Sequence, residues 1–298
     1  METRATGVYR ERAERRRRTR GTGEARGDGW QRTEEDEQLL RLATRYSTLT
    51  LHQAAYACWD GRIEAARLRI RLMTEAGLLH RSADVRWAGT VVWTTERGAQ
   101  IAGTGLSAPN RPGERLLHRL ALADVGLRQE ADGHTVLTER EIRTAEAVPG
   151  RATELLAELG APRVPVGARR GDLLAVRAGA HAVHWPDLVL VLPGRGYSAV
   201  EVELTPKPRG TLRSILRAYR AAGRRVFYLG TEPVVRQLQG RPGPEDWIDG
   251  VGQEVGLLPP GGAAPVPDGL LQVRVLRVAD PAVAAQVARH AYRYRRPA

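Results

Sequence analysis

Four residues in one short stretch have the types and spacing for hydrolytic chemistry: Asp187, Glu201, Glu203 and Lys207. Asp187 heads the run Leu188-Val189-Leu190-Val191-Leu192. After Pro193-Gly194-Arg195-Gly196 the chain continues through Tyr197-Ser198-Ala199-Val200-Glu201-Val202-Glu203-Leu204 to Thr205-Pro206-Lys207. Two apolar runs around a glycine-containing turn predict a β-hairpin. Glu201 and Glu203, two apart, share one face of its second strand, and Val200, Val202 and Leu204 share the other. Two carboxylates crowded on a half-buried face cost on the order of several kcal/mol unless a positive group compensates. A hard divalent cation, Mg²⁺ or Mn²⁺, is a natural compensator, held by oxygens from one or two carboxylates plus water.

Lys207 is the only lysine in 298 residues; the other 45 cations are arginine. That bias fits high-GC coding, so it is partly mutational, and chance as well as chemistry accounts for where the lysine stands. An ammonium has a tunable pKa, whereas a guanidinium stays charged at any ordinary pH.

At these positions the chain resembles the PD-(D/E)xK nuclease superfamily, with Pro186-Asp187 as its first motif and Glu201 as the acidic residue about a hairpin later. The resemblance implies that Asp187 and Glu201 hold Mg²⁺, which activates water, and that a lysine orients or helps deprotonate that water. The usual lysine slot holds Glu203 here, and the lysine stands four residues further on, at Lys207. The expected metal face is therefore Asp187, Glu201 and Glu203, with Lys207 as the cation that positions water or phosphate.

Three other patterns imitate sites. His181, His184 and Asp187 have an HxxHxxD spacing, but residues three apart on an extended segment point to opposite faces and cannot converge on zinc. Gly194-Arg195-Gly196 leads into a strand rather than opening a helix, so it is no dinucleotide fingerprint. Cys58 lies on an apolar helix face and reads as core.

The elements that must position this stretch are legible on either side. A helix is expected over 114–123, a strand over 135–138, the hairpin over 187–204, a helix over 209–222, a strand over 225–229 and another over 271–276. In the 209–222 helix, Leu212, Ile215, Leu216 and Tyr219 form a stripe that reads as plain packing against the sheet. The opposite row, Arg213, Arg217, Arg220 and Arg224, fits either a phosphate backbone or a solvated face. Residues 144–180 are rich in proline, glycine and alanine, with a short helix near 153–159.

Upstream, Thr33 and Thr50 are plausible helix caps, and a third helix is expected over 62–76, with Gly77 as its stop. Two short strands, 78–81 and 89–94, follow around a turn-rich wing, and a last helix at 96–102 ends at Gly103. This order predicts a winged helix-turn-helix. Arg62, Arg67, Arg69 and Arg71 on the third helix, with Arg81 and Arg86 on the wing, are its candidate DNA contacts. The same fold also serves protein contacts.

The expected organisation is a disordered basic arm at 1–29 and a winged helix-turn-helix at 30–106. A linker at 107–113 leads to a restriction-endonuclease-like α/β domain with a central mixed sheet at 114–280, and 281–298 form a basic C-terminal helix or tail. The fold class is thus α+β. With Arg15-Arg16-Arg17-Arg18, the arm fits phosphate contact and a solubilising tail equally.

With the winged helix, the segments Pro186-Asp187-Leu188-Val189, Glu201-Val202-Glu203-Leu204-Thr205-Pro206-Lys207 and Ile215-Leu216-Arg217-Ala218-Tyr219 resemble the replication-relaxation family of plasmids and integrative elements. The resemblance spans about residues 35–230. It implies a DNA partner, a role in replication, relaxation or mobilisation, and work beside a relaxase or replication protein.

Composition bounds the alternatives. A net charge of +12 with 42% apolar residues fits a basic globular chain able to bury a core. One cysteine excludes an internal disulfide and a cysteine-based zinc site. No apolar run approaches the ~20 residues of a membrane span, and no apolar segment follows the N-terminal charges as a secretory signal requires. The expected location is the cytoplasm, at nucleoid or plasmid. Nicking or cleavage by a metal-dependent endonuclease is one expectation; a non-catalytic DNA-binding regulator or accessory protein with a degenerate nuclease-like domain is the other.

Overall fold

The computed structural model describes residues 31–161, 173–179, 182–192, 196–263 and 269–294. The expected basic arm, His181 and the 193–195 turn lie outside the described residues.

The first elements are α1 (Glu34–Arg45), β1 (Leu49–Thr50), α2 (Leu51–Trp59), α3 (Ile63–Glu75), β2 (Leu79–Ser82), β3 (Val91–Thr94) and α4 (Glu96–Ala102). Thr33 and Thr50 open their helices with capping boxes completed by Asp36 and Gln53, and Thr95 caps α4 at the Gly98 amide. The hairpin β2–β3 gains a third strand the sequence did not suggest. Leu49 and Thr50 pair antiparallel with Val92 and Val91, giving the order β1-β3-β2. Leu39, Leu40 and Ala43 of α1, Ala54, Ala55 and Cys58 of α2, and Ala66, Ile70 and Met73 of α3 are all buried around this sheet.

The chain continues with α5 (Leu116–Ala131), β4 (Thr135–Thr138), α6 (Glu139–Ala147), α7 (Arg151–Glu158), β5 (Val176–Arg177), β6 (Val183–His184), β7 (Leu188–Leu192) and β8 (Gly196–Glu203). It ends with α8 (Arg209–Ala221), β9 (Val226–Gly230), α9 (Glu232–Gln239), β10 (Arg241–Pro242), β11 (Trp247–Ile248), α10 (Val251–Glu254), β12 (Leu271–Val275) and α11 (Pro281–Tyr292). Five strands form a mixed sheet in the order β12-β9-β8-β7-β4, with β12, β9 and β8 parallel and the β8–β7 and β7–β4 pairs antiparallel. Alternation along β8 sorts its two faces. Val200 and Val202 join the core that contains α5, while Ala199 joins Leu212, Leu216 and Tyr219 of α8.

Packing does not respect the expected boundaries at 113 and 280. One core runs from Leu39 and Ile70 through Leu120 to Leu188, Val200 and Val287. Arg45, at the end of α1, donates to Glu141 Oε1 (2.7 Å), Glu130 Oε1 (2.7 Å) and the Val136 carbonyl (2.6 Å), all beyond residues 107–113. The C-terminal helix is anchored too. Thr50 donates to the Asp280 carboxylate (2.5 Å), and buried Asp124 of α5 accepts from the amides of Ala279 and Asp280 (2.9 and 3.0 Å). Val283 and Val287 of α11 are buried in the shared core. The reason is geometric: α5 has apolar side chains on more than one side, and they serve both sheets.

Candidate functional site

The sheet carries the four chemistry-bearing residues to one of its ends. Asp187 stands one step outside the last pair of the β7–β8 ladder, Leu188 with Val200, which places it beside Glu201. Glu201 and Glu203 close β8, and their neighbours in register on parallel β9 are Tyr228 and Gly230. Lys207 follows in the loop leading to α8. The ends of parallel strands, where the chain leaves for a crossover helix, are where open α/β sheets place ligands.

Each acid has its own partner. Asp187 Oδ2 accepts from the Val202 amide (2.8 Å) and lies 3.6 Å from His118 Nε2 of α5, which also contacts the Val202 carbonyl (2.8 Å). Glu201 is 3% exposed; its Oε1 meets His184 Nε2 (2.7 Å) and accepts from the Tyr219 hydroxyl of α8. Glu203 is ion-paired with Lys207, one helical turn's spacing further along the chain. Asp187 is thus approached from the α5 side and Glu201 from the α8 side. The compensating positive charge demanded by the crowded carboxylates comes in part from the protein itself.

The electrostatics follow from these contacts. Burial alone would lower the His184 pKa, but the charge and hydrogen bond of Glu201 more than offset it, so the imidazole is raised above its ordinary value. His118 is raised likewise, burial being outweighed by the hydrogen bond and charge of Asp187. Tyr219 and Tyr228 are pushed well up, first by burial and then by Glu201, with Asp187 adding to both. The buried Tyr228 hydroxyl has no hydrogen-bond partner among the described residues. A buried phenol left unpaired beside two carboxylates is costly unless it donates to a group that occupies the site.

Among the described residues, no group of three or more His, Cys, Asp or Glu side chains is arranged to hold a metal ion. Mg²⁺ needs as few as one or two carboxylates, because it keeps several of its waters. Asp187 and Glu201, side by side at the end of the β7–β8 ladder, are carboxylates of that kind. Their hydrogen bonds run through one oxygen of each, Oδ2 and Oε1, and the Tyr228 hydroxyl beside them has no partner among the described residues. Glu203 fits less well as a third ligand, since its carboxylate is taken by Lys207.

The expected DNA contacts divide. On α3, Arg67 pairs with Glu64 (2.5 Å) and Arg71 with Glu75 (3.8 Å), while Arg62, just before the helix, lies 3.9 Å from Asp60; all three stay more than half exposed. Arg81 and Arg86 are exposed on the hairpin and its connection. Arg69 is placed differently from the expectation. It forks onto fully buried Asp36 and also donates to the Gln31 carbonyl (2.8 Å), because an acid buried at the start of α1 needs a cation. On α8, Arg217 is exposed, but Arg213 joins Arg209 on Glu254, and Arg220 donates to the Val255 carbonyl (2.6 Å). Arg224 is buried, with its guanidinium over the Tyr197 ring and donating to the Leu174 carbonyl (3.3 Å), so of that row only Arg217 is left as a bare exposed cation.

Tyr219 and Tyr228 are more than packing, and His118 joins the site from a helix far upstream. Only His184 carried a local signal, its place in the HxxHxxD spacing. Among the described residues, no helix is long and apolar enough to cross a membrane. In comparisons with protein-family models, curated proteins and solved structures, nothing matches this chain.

Proposed function

We propose that this chain is a DNA-binding protein whose Asp187–Glu201 site cleaves or nicks phosphodiester bonds with Mg²⁺ or Mn²⁺. The replication-relaxation resemblance suggests a plasmid or integrative element as its setting. The observation that carries the reading is the juxtaposition of Asp187, buried Glu201 and the unpartnered Tyr228 hydroxyl at one end of the sheet, with Lys207 held on Glu203 nearby.

In this reading the N-terminal unit is a winged helix that docks duplex DNA with α3 and the β2–β3 wing. Arg62, Arg67 and Arg71 are the phosphate contacts of α3, and Arg81 and Arg86 those of the wing. Their exposed ion pairs are worth at most about 1 kcal/mol each, so a phosphate displaces Asp60, Glu64 or Glu75 at little cost.

Asp187 and Glu201 would hold the metal, which supplies Lewis-acid polarisation of the phosphate and a more acidic water. The protein's own groups do the rest. His118 and the Val202 amide fix the Asp187 carboxylate, and His184 and Tyr219 fix Glu201, each through one oxygen. The Tyr228 hydroxyl is left to donate to an oxygen that enters the site, and the Lys207 ammonium, positioned by Glu203, meets the phosphate charge. The proton of the attacking water leaves to bulk solvent.

Incubation of supercoiled plasmid with the full chain tests this. The wild type should nick it with Mg²⁺ or Mn²⁺ and not in EDTA. Glu201→Gln, which preserves shape and hydrogen bonding, should lower the rate at least about 10²-fold with duplex affinity unchanged. Equal nicking by that variant would end the reading.

One specific observation favours a second reading. Asp187, Glu201 and Glu203 are already partnered by His118, His184 and Lys207, which suits a degenerate site in a regulator or in an accessory protein to a relaxase or replication protein. Such a protein shifts DNA in EDTA and never cuts it.

A further inference from the structure

The loop that carries Lys207 also walls a second feature. A cavity of about 600 Å³ lies between this loop, α9, the β10–β11 hairpin and the end of α11, and Pro206, Arg209, Arg236, Gln237, Arg241 and Tyr294 line it. Arg209 is committed to Glu254. Arg236 and Arg241 are exposed, and the one acidic lining residue, Asp249, accepts from the Gly261 amide (3.3 Å).

Two links tie this cavity to the site. Gln237 donates through Nε2 to the Lys207 carbonyl (2.5 Å), which leaves its Oε1 buried and without a partner among the described residues. His290 Nε2 lies 2.8 Å from Thr205 Oγ1, and the His290 ring centroid is 5.4 Å from that of Tyr294. Burial and nearby Arg293 lower the His290 pKa, which suits a neutral imidazole in that contact. The end of α11 is therefore fastened to the Lys207 loop, with Tyr294 43% exposed and Tyr292 72% exposed.

Two exposed guanidinium groups and a flat phenol face together match a nucleotide: phosphate for the arginines and a base face for the ring. A base within a duplex keeps its faces stacked and its edge paired, so the match is to a single strand. We propose that this cavity seats a nucleotide of a single strand running from the carboxylate site past Lys207, its phosphate between Arg236 and Arg241 and its base on Tyr294. The choice of polymer rests on the DNA-binding reading; the seat itself needs no cleavage.

The test is fluorescence anisotropy of the full chain with a labelled oligothymidylate of about 12 nucleotides, in EDTA. Tyr294→Ala should weaken binding roughly tenfold, and Tyr294→Phe should restore it. The double variant Arg236→Ala/Arg241→Ala should weaken binding about tenfold or more and reduce the slope of log affinity against log salt by about 1.4. Affinity for a blunt duplex of equal length should change less than twofold. Unchanged oligothymidylate affinity in both variants would overturn the proposal, as would an equal loss for duplex. Competition by thymidine monophosphate at concentrations comparable to the oligonucleotide would overturn it in favour of a free-nucleotide site. Because every arm lacks divalent metal, the result stands whether or not the carboxylate site cuts DNA. All three positions are exposed, so an unchanged melting temperature separates lost binding from lost folding.

Discussion

At the scale of single residues, the pairing of Lys207 with Glu203 bears most directly on chemistry. An arginine can hold the same glutamate, but it offers a planar fork in place of a compact ammonium. Lys207→Arg should leave the melting temperature within about 1 °C, since the half-buried ion pair survives, while the nicking rate falls about 10²-fold because the bulkier guanidinium sets the charge in a different place against the phosphate. Full activity in that variant would mean that only the charge matters and that the lysine's position is incidental. Asp187, Glu201, Glu203 and Lys207 were legible because their signal is local: a strand's period of two, a turn and a charge. His118 and Tyr219 were not, because their roles depend on which atom of another element each meets, and Tyr228 was not, because only the fold sets its hydroxyl beside the carboxylates. On their own helix or strand, an imidazole or phenol on an apolar stripe looks like packing.

At the scale of elements, the end of β9 shows how closely strand and helix must fit. A Cβ on Gly230 would stand 2.6 Å from Val234 Cγ1 and 2.8 Å from Val234 Cβ, both on α9. Gly230 lies opposite Glu203 in register, and α9 carries the Gln237 side chain that holds the Lys207 carbonyl. Gly230→Ala should therefore push α9 outward and cost about 1–3 kcal/mol in denaturant unfolding. It should also weaken oligothymidylate binding, because Arg236 and Gln237 move with the helix; wild-type stability and binding would show that the helix gives way freely. Most elements were readable from caps and periodicity. Helix α6 was missed although Thr138 and Glu141 form a capping box, because it follows β4 without a loop. The two-residue strand β1 is too short to have a period at all, and it exists only because β3 has an edge for it to pair with.

At the scale of the whole molecule, the joint between the N-terminal unit and the five-stranded sheet is a packed interior rather than a tether. Arg45 is its polar centre. Burial would lower its pKa, but Glu141 and Glu130 more than offset that, so it stays charged, and removing it leaves two glutamates without their cation. Both glutamates keep some solvent access, so Arg45→Ala should cost about 2–4 kcal/mol, below the full penalty for breaking a buried pair. That corresponds to a melting temperature lower by roughly 5–10 °C. The wild type should melt in one calorimetric transition, because a shared core couples both units. Two transitions in the wild type, or an Arg45→Ala protein as stable as wild type, would show that the units hold together weakly.

The sequence by itself determined the α+β character, most helices and strands, and the grouping of one aspartate, two glutamates and a lysine around a hairpin. These follow from turn chemistry, capping and alternation, which act between residues near one another along the chain. Only the tertiary structure decided which arginines are spent on internal acids, that His118 and His184 stand against the carboxylates, that a basic cavity adjoins Lys207, and that α5 belongs to both sheets. Those outcomes depend on long-range packing, where a buried charge or hydroxyl must find its partner wherever the fold delivers one, and no local spacing in the chain records that choice.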